Sequence, residues 1–179
     1  MSAKLVLKMR QSIDGFVCNS HGDESFLFSH IDAEALEWET KHLWQAGLHL
    51  MGRNLYHTMA AYWPTSDLPP AAPMNQIPKV IFSTTLSDPS WGPTQIASGD
   101  LAREINRLKL ESKKELLAHG GVSFAQSLSK LNLIDEYRLL IHPVALGCGK
   151  SCITVPLNLK LTSSHVFASG VVALIYARE

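Results

Sequence analysis

Apolar positions along the chain recur with two different periods. Leu5, Leu7 and Met9, with Val6 between them, predict a strand, and the polar segment "QSIDGFVCNSHGDESF" that follows predicts a loop. A helix is predicted after Asp32, a good N-cap, with Leu36, Leu43 and Trp44 on one side. The acidic early turns of this helix (Glu34, Glu37, Glu39) suit the positive end of its dipole. "LHLM" (48–51) reads as a strand and "RNLYHTMAAY" (53–62) as a helix. The prolines of "WPTSDLPPAAPMNQIP" (63–78) predict a loop. "KVIFS" is a buried strand, and "SGDLAREINRLKLES" a helix capped by Asp100 with Leu101, Ile105 and Leu108 on one face. "ELLAH" is a strand, and "VSFAQSLSKLNL" a helix with Phe124, Leu128 and Leu131 aligned. Then the pattern changes. "EYRLLIHP", "LNLKLT", "HVFA" and "VVALIYA" are strands with no helix between them, the last two joined as a hairpin across Ser169-Gly170.

Strands alternating with helices, followed by a run of strands, predict an α/β fold. Its sheet is mixed but mostly parallel, flanked by helices in three layers, with an antiparallel C-terminal edge. No internal repeat or low-complexity tract interrupts the pattern. A chain of 179 residues that is 46% hydrophobic suffices for one domain, 1–179, with a substantial core.

Charge narrows the partners. Sixteen basic residues balance sixteen acidic ones, and no basic stripe of the kind that tracks a nucleic-acid backbone is present, so no nucleic-acid partner is expected. The N-terminal apolar run is short and interrupted by charge, which predicts neither a membrane span nor a signal peptide. Three cysteines (Cys18, Cys148, Cys152), an odd number, predict reduced thiols in the cytoplasm. Cys148 and Cys152 lack further ligands at metal-binding spacing, so no metal is expected.

In open α/β sheets ligands collect where the carboxyl ends of strands lead into helices. Three such junctions share a character here: "MGRN" (51–54), "STTLSD" (83–88) and "HGGVSF" (119–124). Glycines allow close backbone approach, and free N–H groups at helix starts bind anions. Each junction also has a plainer reading, as a strand end, a turn cap or a solvated cation. Neither the G-x-G-x-x-G fingerprint nor a P-loop is present.

The order and spacing of "KMRQSIDGF", "MGRNLYHTMAAYWP", "KVIFSTTL", "HGGVSF" and "LIDEYRLLIHPVALGCGK" resemble the dihydrofolate-reductase-like superfamily. Within it the chain is most similar to stand-alone relatives of the C-terminal reductase domain of the bifunctional riboflavin-biosynthesis deaminase/reductase. The resemblance implies NADPH as cofactor, a small-molecule substrate and a homodimer. Carried over by motif, it implies cofactor contacts at Gly52, Arg53, Ser83, Thr84, Gly120, Gly121, Val122 and Ser123, and a substrate side lined by Lys8, Ser12, Asp14 and Gly15. Leu55 stands where relatives carry a threonine, so one hydroxyl contact to phosphate is missing. The tryptophan-and-acid helix of true dihydrofolate reductases is not recognisable after Gly15, which argues against folate. The segment relatives use for a ribose phosphate is replaced by "YHTMAAYWPTSDLPP".

Two residues are the catalytic candidates, each with an alternative. Asp14 could hydrogen-bond a heterocycle or order a water, or simply form an Asp-Gly turn. Lys8 could place a cation beside the acceptor, or face solvent from an alternating strand. His119 is a candidate donor beside the double glycine, or a packed histidine. The leading expectation is an NADPH-dependent reductase that transfers a hydride to a pyrimidine- or pterin-like heterocycle or its attached sugar. The alternatives are the 5-amino-6-(5-phosphoribosylamino)uracil reductase of riboflavin synthesis and a cofactor-binding module with little turnover.

Overall fold

A computed structural model describes residues 2–179. One eight-stranded sheet runs through it in the order β4-β3-β2-β5-β1-β6-β8-β7. Strands β1 (Leu5–Ser12), β2 (Ala46–Gly52), β3 (Lys79–Phe82), β4 (Thr94–Ala97), β5 (Glu115–Ala118) and β6 (Glu136–His142) are parallel. Strand β8 (Val172–Arg178) pairs antiparallel with β6, and β7 (Leu159–Val166) pairs antiparallel with β8. This is the mixed sheet with an antiparallel C-terminal edge that the pattern predicts.

Both sheet faces are covered, which is why the central strands read as continuous apolar runs. Leu5, Leu7, Leu50, Leu116 and Ala118 face one side and pack on Ile105 and Leu108 of α4 (Leu101–Glu111) and Leu128 of α5 (Val122–Lys130). Val6, Met51, Ile81 and Leu117 face the other side, with Leu43 of α1 (Ala33–Leu43), Tyr56 of α2 (Arg53–Tyr62) and Met74 of α3 (Ala71–Gln76). Each such leucine or isoleucine contributes about 1.5–3 kcal/mol by leaving water. Asp32 and Asp100 cap α1 and α4 as expected, accepting from Ala35 N at 2.8 Å and Arg103 N at 2.9 Å.

Four details differ from the sequence pattern. The proline-rich stretch is not all loop: it holds a 3-10 turn at Trp63–Thr65 and α3, because Pro70 and Pro73 fall in or before the first turn, where a missing N–H costs little. Strand β4 lies in a segment with too few apolar residues to be predicted, and extends the sheet beyond β3. "LNLKLT" and "HVFA" are one strand, β7, with a register shift between Leu161 and Ser163. The inward stripe of α1 is Ala35, Glu39 and Leu43, whereas Trp44 is 42% exposed. The predicted hairpin turn does close at Gly170, whose φ of +84° favours glycine.

Candidate active site

The three junctions lie side by side, since β3, β2 and β5 are neighbours in the sheet and all end at the same edge. Strand β2 hands directly to α2 at Gly52-Arg53. Strand β5 leads through His119, Gly120 and Gly121 into α5, so Val122 and Ser123 form its first turn. The two helix starts touch: a β-carbon on Gly121 would sit 3.7 Å from Leu55 Cβ, and one on Gly52 would sit 3.5 Å from Phe124 Cβ.

These two helix starts differ from those of α1 and α4. The latter carry an aspartate cap and an acidic residue in the first turn (Glu34, Glu104). At α2 and α5 the cap is glycine, no side chain caps the turn, and no carboxylate lies in it. Their first amides are therefore open to an anion. Arg53 projects beside them, its Nη1 donating to Thr85 Oγ1 at 2.6 Å. Ser83 Oγ accepts from the amides of Thr85 (3.2 Å) and Leu86 (3.0 Å), shaping the loop that presents Thr84 and Thr85.

The two adjacent glycines serve different ends. Gly120 has φ +85°, and a β-carbon there would run into the Met9 sulfur, so this glycine serves packing. Gly121 has φ +52° but only Leu55 near it. Gly52 has an ordinary φ of −82° and would meet Phe124 at normal contact distance, so nothing in the protein requires glycine there.

A cavity of about 730 Å³ opens against these junctions through His119, Gly121, Val122 and Leu55. Most of its wall is apolar, from Leu27, Ile31, Met59, Trp63, Leu68 and their neighbours. Polar groups gather at the β1 end. Glu39 on α1 is 2% exposed and binds Arg10 through both oxygens (Nε 3.0 Å, Nη2 2.6 Å) and Lys8 Nζ at 3.1 Å. Burial alone would raise the Glu39 carboxyl, but Lys8 and Arg10 outweigh it and hold it at about 2. Burial, with some help from Arg10, lowers the Lys8 ammonium despite Glu39. Arg10 also donates to Leu27 O, and Lys8, with one partner, keeps N–H groups to offer the cavity.

A second buried polar chain leads from the cavity wall. His119 Nε2 and His49 Nδ1 are 2.7 Å apart, and His49 Nε2 lies 3.3 Å from the Pro73 carbonyl. Burial depresses both imidazoles, that of His49 to about 3 and that of His119 well below its usual range.

The N-terminal motif divides. Lys8 lines the cavity, as its cleft-facing reading requires. Ser12, Asp14 and Gly15 do not. Ser12 Oγ donates to Asp14 Oδ1 at 2.5 Å, and Asp14 Oδ2 accepts from Leu146 N (3.1 Å) and Gly147 N (2.7 Å). The Ser12 bond and then the Gly147 bond lower the Asp14 carboxyl. The catalytic expectation for Asp14 therefore gives way to the turn reading, because its oxygens tie the loop at 146–147 to the end of β1. Gly15, at φ +85° with open space around it, turns the chain there.

The family model of the RibD C-terminal domain matches residues 3–173. The chain belongs to the RibD C-terminal domain family. It is 28% identical to the uncharacterized protein YyaP of Bacillus subtilis (strain 168) over 97% of this chain and 94% of that one. Its fold is similar to that of a candidate riboflavin biosynthesis protein from Shewanella sp. PV-4 (TM-score 0.74, 22% identity, 100% of this chain and 99% of the other). It is also similar in fold to dihydrofolate reductase from Enterococcus faecalis complexed with NADP(H) (TM-score 0.65, 9% identity, 100% and 99%). These likenesses show a shared fold. On this fold the chain carries a helix-borne carboxylate, Glu39, and a His49–His119 pair; sequence reasoning named His119 as a candidate donor but singled out neither Glu39 nor His49. The spacing of Ala35, Glu39 and Leu43 on one helix face was the available signal for Glu39.

Proposed function

We propose that this RibD C-terminal domain protein is an NADPH-dependent reductase acting on a small heterocycle. The observation that carries the proposal is the adjacency of a large apolar cavity to two uncapped, carboxylate-free helix starts with an arginine beside them. In this reading Gly52, Arg53, Ser83, Thr84 and Thr85 hold the 2'-phosphate side of the cofactor. Gly120, Gly121, Val122 and Ser123 border its pyrophosphate and nicotinamide side. The site fits such a group: Gly52 leaves space that no feature of the protein itself demands, and Gly121 brings backbone to the cavity mouth.

When bound, the cofactor supplies a hydride. The chain supplies position and a proton. Lys8 Nζ donates a hydrogen bond to the acceptor's heteroatom and passes it a proton as the neighbouring carbon is reduced, then regains one from solvent. Burial makes that ammonium a better acid than a free lysine. Glu39 holds Lys8 in place, and Arg10 holds Glu39. Both lining cations, Lys8 and Arg10, share the single carboxylate of Glu39. Ser12, Asp14 and Gly15 shape the adjoining loop.

The exposed β7 edge, with Leu161 and Val166 bare, supports a homodimer through the C-terminal part of the sheet. Free thiols at Cys18, Cys148 and Cys152 suit the cytoplasm. Spectrophotometric assay of NADPH oxidation with pyrimidinones and pterins tests the activity. Turnover on an unphosphorylated ring supports it; tight NADPH binding without turnover on any of them would favour a cofactor-binding module.

A further inference from the structure

The histidine pair fixes a proton pattern. A carbonyl accepts only, so the His49 nitrogen facing Pro73 O, Nε2, carries the hydrogen. His49 Nδ1 is then an acceptor, and the His119 nitrogen facing it, Nε2, carries the hydrogen. His119 Nδ1 is left with a lone pair. It has no partner among the described residues, yet it is not one of the buried unpartnered atoms, so it is open to the cavity that His119 lines. Protonation cannot fill that lone pair near neutrality. Burial and then His49, Lys8 and Lys79 keep the ring neutral.

Strand register sets a donor beside this acceptor. Leu7 pairs with Ala118 in the parallel β1–β5 ladder, so Lys8 and His119, one residue on, leave their strands abreast on the same face. Neighbouring strands are about 4.8 Å apart. Lys8 Nζ, anchored on Glu39, keeps N–H groups to give. The strand-end side of the cavity therefore sets a donor, Lys8, beside an acceptor, His119, and most of the remaining wall is apolar, with Glu24, Thr58 and Tyr62 as further polar lining.

We propose that His119, locked as its Nε2–H tautomer by His49 and Pro73, is a specificity-determining hydrogen-bond acceptor. With Lys8 it selects ligands that present a carbonyl beside an N–H, a cyclic amide edge, on a flat apolar body. The carbonyl meets Lys8 and the N–H meets His119 Nδ1. The inference deepens the reading of the cavity as the substrate site and rests on it.

Quinazolin-4(3H)-one has such an edge on an apolar ring, and 4-methoxyquinazoline has the same body without the N–H. Calorimetric titration of both into the wild-type protein, with NADPH titrated separately, tests the proposal. We expect the quinazolinone to bind about tenfold tighter, the scale of one hydrogen bond. His119→Phe removes that preference and leaves NADPH affinity unchanged, whereas His119→Asn, whose Oδ1 can stand near Nδ1, retains it. Nitrogen-15 NMR of histidine-labelled wild-type protein gives a readout independent of any variant: His119 is the Nε2–H tautomer, and its Nδ1 resonance moves when quinazolinone is added. Equal affinity for the two probes, no binding of either, an unchanged preference in His119→Phe, or the opposite tautomer overturns the inference. A quinazolinone preference without NADPH binding would instead overturn the reductase reading and leave the inference standing.

Discussion

Replacing Glu39 with glutamine keeps the side chain's shape and removes its charge. Glu39 is 2% exposed and is the counter-ion of both Lys8 and Arg10, whose side chains are 12% and 18% exposed. Neutralising it leaves two like charges facing one another at the floor of a mostly apolar cavity. Breaking a buried ion pair from one side costs about 3–5 kcal/mol, because a charge remains desolvated without its partner. A chain of this size loses roughly 3 °C of midpoint per kcal/mol, so Glu39→Gln should melt ~9–15 °C lower by calorimetry. The loss should shrink as pH rises and Lys8 deprotonates, since its ammonium is already weakened by burial. Replacing the whole triad with methionine (Lys8→Met, Arg10→Met and Glu39→Met) should recover most of the midpoint, because it leaves no orphaned charge or unpaired polar group. A single Glu39→Gln variant that melts within about 2 °C of wild type would refute the buried triad, given the cost expected from one-sided removal.

Four further outcomes follow from the structure. His49 titrates at about 3 in the folded protein against 6.5 unfolded, so its stabilisation is full above pH 6.5 and is lost as pH falls toward 3. Between pH 7.5 and 5 that is about 2 kcal/mol, read by denaturant titration; a flat profile across this window would contradict a buried neutral pair. Gly120→Ala should destabilise more than Gly121→Ala, since both pay about 1–2 kcal/mol for a positive φ but only the former meets Met9. Gly121→Val should remove NADPH binding while Gly121→Ala still folds; normal NADPH affinity in the valine variant would displace the cofactor from this wall. Light scattering at micromolar concentration should give a dimer mass, and a monomer would remove the β7 edge as an interface.

Much of the fold was legible because it is local. Asp32 and Asp100 precede apolar-periodic runs and cap the helices they announce. Gly52-Arg53 stands where β2 meets α2. What was not legible depends on distant partners. Asp14 looked available because the amides it accepts from, Leu146 and Gly147, lie more than 130 residues away. Glu39 read as one of three acids suited to the helix dipole, and only the path of β1 under α1 shows why it is buried. The His49–His119 pair needs β2 and β5 to be neighbours, which sequence order does not state. Strand β4 was missed because an edge strand needs few apolar residues.

The central claim is that the three junctions form an NADPH site, and direct titration of the wild-type protein and Arg53→Ala with NADPH and NADH tests it most closely. Charge-assisted contacts contribute about 1.5–3 kcal/mol, so wild type should bind NADPH at least tenfold tighter than NADH. Arg53→Ala should lose most of that preference while its midpoint stays near wild type, because Arg53 is exposed and bonds only Thr85 among the described residues. Equal affinity of the wild-type protein for the two cofactors, or an undiminished preference in the variant, would contradict the assignment.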